Sequence, residues 1–297
     1  MISIAIVVIE GLLVVLKPAE KEKLDKLKNL LCSMGRVVIA YSGGVDSSFL
    51  LKTAIETLGR EKVLPVIAES PSYPETEFVF AKKLARELGA NLKTVKTKEL
   101  SCPDFISNPV NRCYFCKSEL FSTLEKIREQ YGFNYIIDGS NFDDRADYRP
   151  GVKAGEELGV RSPLKEAKLT KAEIRNISKT MGLSTWDKPA LACLASRIPY
   201  GEDITPEKLE RINKAESFIR ENGIRHVRVR HHGSTARIEV DEKDIPGLMN
   251  ADLRKRTVEY FKKLGFKYVT IDIEGYRTGS MNEVLKPEDA SHAKNVS

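Results

Sequence analysis

The chain has 297 residues, 48 Lys and Arg against 42 Asp and Glu, a formal charge of +6 and 41% hydrophobic residues. That length holds one large domain or two smaller ones with an ordinary core, and a 30% charged fraction excludes a disordered or collagen-like chain. Five cysteines are too few, and odd in number, for a disulfide framework, which points to a reducing cytoplasm with thiols available for metal binding or chemistry.

Residues 2–16 (ISIAIVVIEGLLVVL) are almost all apolar, but Glu10 and Gly11 interrupt them. A membrane span needs about 20 apolar residues, and no Lys or Arg precedes this run as in a signal peptide. The expectation is a buried element, or an extension upstream of the native start, and no membrane partner. With the charged run KPAEKEKLDKLKNLLCSMG it forms an N-terminal extension and helix over residues 1–35. Cys32, among apolar helical positions, is expected in the core.

From residue 36 strands and helices alternate. RVVIAY (36–41), VLPVIAES (63–70), NLKTVKT (91–97) and YIIDGS (135–140) are short buried-strand runs. Helices are predicted over 47–58, 75–88 and 117–130, closed at or near Gly59, Gly89 and Gly132. Thr170 with Glu173 makes a capping box for a helix closed by Gly182. This order predicts an α/β fold over residues 36–200, a parallel sheet flanked by helices, with ligands at the C-terminal strand ends.

The segment SRIPYGEDITP (196–206) reads as a linker. Beyond it Thr205 caps a helix with Pro206 at its first position. HVRVRHHG and TARIEVDE read as a hairpin, and a helix (252–264) and the strand KYVTIDIE (267–274) follow. Residues 205–285 are therefore expected to form a smaller α+β domain, with a polar, frayed tail over 286–297.

The most informative stretch is AYSGGVDSSFLL (40–51), a strand running through Ser42, Gly43, Gly44, Val45, Asp46 and Ser47 into a helix. Two glycines let successive N–H groups point into one concavity at the positive end of a helix. Such a nest holds phosphate or pyrophosphate, with the Ser42 and Ser47 hydroxyls as further donors. Asp46 inside an anion site calls for a cation, and Mg²⁺ bridging phosphates supplies it. No GxxxxGK[ST] motif is present, so the loop is not of Walker type.

Cys113 and Cys116 are spaced CxxC at the mouth of a predicted helix, and Cys193 lies in CLASR. A CxxC pair can grip one metal or cluster, and a zinc site could draw its fourth ligand from Cys102; a thiol or redox pair is the alternative. Arg228 and Arg230 are two apart on a strand, hence on one face about 7 Å apart, and suit a phosphate or carboxylate; a solvated strand face is the competing reading. His231 and His232 face opposite ways on a strand and are expected in a turn. Asp143, Asp144, Asp147 and Arg149 follow the fourth strand and either line the site or cap a helix. Trp186 and Tyr200 flank Cys193 and are expected to pack in the core.

SGGVDS after the first strand resembles the PP-loop of the ATP pyrophosphatase superfamily, whose Rossmann-like members adenylylate a substrate and release pyrophosphate. Together with ESPSYPETE, NRCYFCKSELF, DGSNFDDRADYRPG, RSPLKEAKLTKAEIR, KPALACLASRIPYG and EGYRTGSMN, it makes residues 40–282 similar to the LarE family. That resemblance implies an ATP-dependent sulfur transferase of nickel-pincer nucleotide cofactor biosynthesis. Its small-molecule substrate would be pyridinium-3,5-biscarboxylic acid mononucleotide, and a sulfur donor would be its second partner. It further implies that Cys113, Cys116 and Cys193 hold a 4Fe-4S cluster, with Cys193 as a sacrificial sulfur donor and no cluster as the alternative. Cys193, Asp46 and Arg197 are the expected catalytic residues. Ser196 and Arg197 beside Cys193, with Arg228 and Arg230, are the expected substrate ligands.

A tRNA sulfurtransferase would share the loop and the cysteine pair but needs an RNA-binding domain or a basic stripe. Basic residues here are scattered among acids, so no nucleic-acid partner is expected. An amide-forming enzyme of the NAD or GMP synthetase type needs no cysteine trio. A homo-oligomer is compatible with the sequence.

Overall fold

The structure, a computed structural model, describes residues 6–9, 12–145, 150–189 and 192–284. Two compact units emerge. The first comprises Met1–Glu69, Glu77–Thr97 and Cys116–Leu191; the second comprises Ser70–Thr76, Lys98–Phe115 and Ala192–Ser297.

In the first unit, β1 (Ile6–Ile9) pairs antiparallel with β2 (Leu12–Val15), so the described part of the apolar N-terminal run is a strand pair. Helix α1 (Pro18–Met34) buries Leu24, Leu27, Leu31 and Met34, a stripe at helical spacing. Cys32 falls beside that stripe and is exposed, which corrects its expected place in the core. Then come β3 (Val37–Ala40), α2 (Val45–Leu58), β4 (Val63–Glu69), α3 (Glu75–Glu87) and β5 (Lys93–Lys96). A short α4 (Pro103–Ile106), part of the second unit, precedes α5 (Arg112–Gln130), whose residues from Cys116 on belong to the first, and β6 (Tyr135–Ile137). Strand order is β5-β4-β3-β6 and every pair is parallel. Residues of β3 are buried on both faces, which is why its sequence is continuously apolar. Val38, Val66, Phe121, Leu124 and Ile136 form the core between sheet and helices.

Helix α5 begins five residues before the predicted 117–130 span, so both cysteines of the CxxC pair are helical. α6 (Pro150–Glu157), α7 (Pro163–Glu166) and α8 (Lys171–Thr180) complete this unit. Thr170 and Glu173 close the expected capping box. Among the described residues no helix is long and apolar enough to cross a membrane.

The second unit carries α9 (Pro206–Glu221), β7 (Val227–His232), β8 (Thr235–Val240), α10 (Ile245–Leu248), α11 (Ala251–Lys263) and β9 (Tyr268–Ile271). β7 and β8 are antiparallel, and β9 adds in parallel beside β8. Ala215, Ile219, Val227, Val229, Ile238 and Phe261 anchor its core. His231 and His232 end β7 rather than a turn, because the strand pairing continues through His232↔Thr235. Segments 70–76 and 98–115, drawn from within the first predicted domain, belong to this compact unit.

Candidate functional site

The turn after β3 is shaped by close approach. Tyr41 still pairs with the sheet, its N–H donating to Val66 O at 2.9 Å. Gly43 then takes φ +62°, and a Cβ on it would lie 2.4 Å from Ala81 Cβ. Only glycine lets the chain pass α3 at that distance. Ser47 Oγ reaches back into the loop, accepting the Ser42 N–H at 3.3 Å and lying 3.1 Å from Ser42 Oγ. Gly139 approaches from the other side; a Cβ there would come within 3.0 Å of Ser47 N. Gly44 is the N-cap of α2, whose first-turn amides lack intrahelical acceptors. Together with the helix dipole they form an anion nest.

Asp46 sits in that first turn. Its Oδ2 receives Lys171 Nζ at 2.6 Å and Asn141 Nδ2 at 3.5 Å, while Oδ1 is buried without a partner. Burial pushes the carboxyl pKa up; Lys171 and Asn141 pull it back in part, and nearby Asp144 raises it further. An orphaned carboxylate oxygen at an anion nest fits a hard divalent cation. Lys188 brings a second ammonium to the loop, donating to Gly43 O at 3.2 Å and pairing with Glu77 at 2.5 Å. Arg175 holds that lysine's segment through the carbonyls of Trp186 and Lys188. Asp143 accepts from Lys171 N at 2.8 Å and so fixes the start of α8; Asp144 accepts from Asn141 N. Asp147 and Arg149 lie outside the described residues.

In the second unit a charged network is sealed in the interior. Glu216 lies on the buried stripe of α9 with Leu209, Ile212, Ala215 and Ile219. It receives Arg197 through Nε at 2.8 Å and Nη2 at 3.2 Å, Arg220 at 2.5 Å and the Val229 N–H at 3.0 Å. Burial alone would raise its pKa, but Arg197, Arg220 and Arg228 outweigh it and hold the carboxyl down at about 2. Arg197 also donates to the carbonyls of Ala192 and Cys193 and to Ser196 Oγ. Arg230 reaches Glu239 at 2.6 Å, Ser280 Oγ at 3.0 Å and Ser196 O at 3.1 Å. Arg228, buried beside the Tyr276 ring, has its pKa lowered to about 10 by burial and by Arg197. The two arginines thus line a buried face, not a solvated one.

Cys113 is exposed and Cys116 half-buried on α5, and the boundary between the units falls between them. Cys193 is half-buried and caps the 3₁₀ turn Leu194–Arg197. Among the described residues no three Cys, His, Asp or Glu side chains gather as a metal site.

A family model described as NAD synthase matches residues 21–105. An uncharacterized protein of Synechocystis sp. is 45% identical over 89% of this chain and 98% of its own length. The pyridinium-3,5-bisthiocarboxylic acid mononucleotide synthase of Lactiplantibacillus plantarum is 38% identical over 86% of this chain and 92% of its own. The chain belongs to the LarE family. A glutamine-hydrolyzing GMP synthase chain of Archaeoglobus fulgidus is a more distant relative, 27% identical over 68% of each chain.

For a LarE-family chain the sequence points to the nest residues, the three cysteines and Ser196, Arg197, Arg228 and Arg230. The structure brings Ser42–Ser47 together in the first unit, and Cys193, Ser196, Arg197 and Arg230 together in the second. Sequence reasoning misses Lys171, Lys188, Asn141, Glu216 and Glu239. Only Glu216 leaves a signal, as a charge on an otherwise apolar helical stripe. Trp186 is 36% exposed under Lys179 rather than core, and Tyr200 is half-buried between Arg112 and Asn282.

Proposed function

We propose that this LarE-family chain is an ATP-dependent sulfur transferase acting on pyridinium-3,5-biscarboxylic acid mononucleotide in the making of a nickel-pincer nucleotide cofactor. A substrate carboxylate attacks the α-phosphorus of ATP, pyrophosphate leaves, sulfur attacks the acyl-adenylate and AMP departs. The observation that carries this reading is the SGGVDS nest with the orphaned Asp46 oxygen, in a chain of this family.

The first-turn amides of α2 and the Ser42 and Ser47 hydroxyls bind the leaving pyrophosphate, and Lys171 and Lys188 offset its charge. Asp46 would hold Mg²⁺, which would neutralise polyphosphate charge when bound. Arg228 and Arg230 would bind the substrate's anionic groups, since guanidinium suits phosphate and carboxylate bidentately and both lie on the buried face of β7. Arg197 grips the Cys193 carbonyl and orients the segment that delivers sulfur. Cys113, Cys116 and Cys193 would hold a 4Fe-4S cluster; their thiolates are the right donors, and such a cluster would supply an iron open to hydrosulfide. The cysteine usage supports a cytoplasmic setting.

Purified protein supplied with the mononucleotide, ATP and sulfide should release pyrophosphate in a substrate-dependent manner and form a thiocarboxylate. Pyrophosphate release with ammonia giving an amide instead, or no release at all, refutes the proposal.

A further inference from the structure

A second buried carboxylate lies outside the arginine network. Glu99, in the 3₁₀ turn Glu99–Ser101 of the second unit, is 1% exposed. Its Oε1 accepts from Ser70 Oγ and, at 3.3 Å, from Ser72 Oγ. The two hydroxyls lie 2.8 Å apart, and Ser72 N–H donates to Ser70 Oγ at 3.0 Å. Glu99 Oε2 is buried with no partner.

The turn it holds has one outward connection of consequence. Ser72 O accepts the Leu194 N–H at 2.7 Å, and Leu194 directly follows Cys193. From the other side Arg197 takes the carbonyls of Ala192 and Cys193 at 2.9 and 3.1 Å. The cysteine segment is therefore tied at both flanks, one tie ending on Glu216 and the other on Glu99. A carboxylate buried on such terms costs stability relative to an apolar side chain of similar volume. What it provides is geometry: a single acceptor shared by two hydroxyls fixes the Ser70–Ser72 turn.

We infer that Glu99 is a positioning residue for Cys193, acting through the Ser70–Ser72 turn and the Ser72–Leu194 hydrogen bond to set the place and the access of the thiol. Its purpose rests on the sulfur-transfer reading, whereas its geometry does not.

The test uses the full-length, chelator-treated protein and measures iodoacetamide alkylation of each cysteine by mass spectrometry. Glu99→Ala releases the turn, so Cys193 alkylation should rise about fivefold, the equivalent of one net hydrogen bond, while the exposed Cys32 in the other unit keeps its rate. Glu99→Gln retains an acceptor for both hydroxyls and should restore the native rate. In turnover, Glu99→Ala should slow sulfur transfer without changing the KM for ATP in pyrophosphate release. A wild-type Cys193 rate in Glu99→Ala overturns the inference, as does an equal acceleration of Cys32 and Cys193, which means general loosening. Should Glu99→Ala fail to fold, the Ser70→Ala/Ser72→Ala double variant is judged by the same two rates. A chain that makes no thiolated product at all refutes the sulfur-transfer reading, and the alkylation rates still decide the role of Glu99.

Discussion

Lys171 Nζ lies 2.6 Å from Asp46 Oδ2, across 125 residues of sequence. The ammonium engages one carboxylate oxygen and leaves the other buried without a partner. Asp46→Ala should therefore lower substrate-dependent pyrophosphate release by at least ~100-fold, with an unchanged circular dichroism spectrum. Near-normal release from that variant rules out a metal-binding role for Asp46.

Lys171→Met tests the other half of the pair. Lys171 pulls the Asp46 pKa down against the effect of burial, so its loss lets that pKa climb. Only the ionised carboxylate binds a cation, so the acid limb of pyrophosphate release should move to higher pH in the variant. A pH profile that merely scales down, with no shift, means the lysine acts on phosphate alone.

The two strand arginines should part company on mutation. Arg230 is paired with Glu239, and Arg230→Ala removes one partner of a fully buried carboxylate that keeps Arg237 and Ser280, costing about 2 kcal/mol in chemical denaturation. Arg228→Ala removes a guanidinium that burial and Arg197 already disfavour. Its loss also weakens the charge field that keeps Glu216 ionised, so some stability is lost, but the KM for the mononucleotide should rise about tenfold with the KM for ATP unmoved. Equal effects on the two KM values would place Arg228 outside the substrate site.

Glu216 sets an acid limit. Its folded pKa of about 2 lies below the ordinary 4.5, so its contribution to stability is full above pH 4.5 and drains away as pH falls towards 2. Glu216→Gln should be much less stable than the native chain at pH 7, and the gap in urea midpoints should narrow steadily at acid pH. A gap that stays constant from pH 7 to the acid range contradicts the ion-pair origin of that stability.

Metal analysis decides the chemistry of the cysteines. Anaerobic protein with a cluster should be brown, carry close to four irons per chain and turn over repeatedly on sulfide. Changing any of Cys113, Cys116 or Cys193 to Ser should then remove the iron. If Cys193 alone matters, turnover stops after one sulfur and the chain loses the mass of hydrogen sulfide.

Local patterns carried most of the fold. The β3 run, the Thr170–Glu173 box and the Thr205–Pro206 cap are all short-range physics and stand where the sequence places them, whereas α5 starts five residues ahead of its predicted span. The anion nest was legible for the same reason, since Gly43, Gly44 and Asp46 are neighbours. Lys171 and Lys188 were not, because their targets are set by tertiary packing of α8 and the chain beyond it. Arg228 and Arg230 shared a face as expected, but strand alternation says nothing about whether that face meets water or Glu239. Cys32 misled because an apolar neighbourhood in sequence covers more of a helix than the stripe that is buried.

The close passage of Gly43 against Ala81 ties the loop after β3 to α3 through packing. The methyl of Ala81 already occupies the space where a side chain at 43 would begin. Any evolutionary or engineered drift at position 81 is therefore bounded by the loop, even though 81 carries no chemistry of its own. A library that randomises α3 for stability should displace this loop at Ala81, and a scan of the loop residues alone would not reveal why.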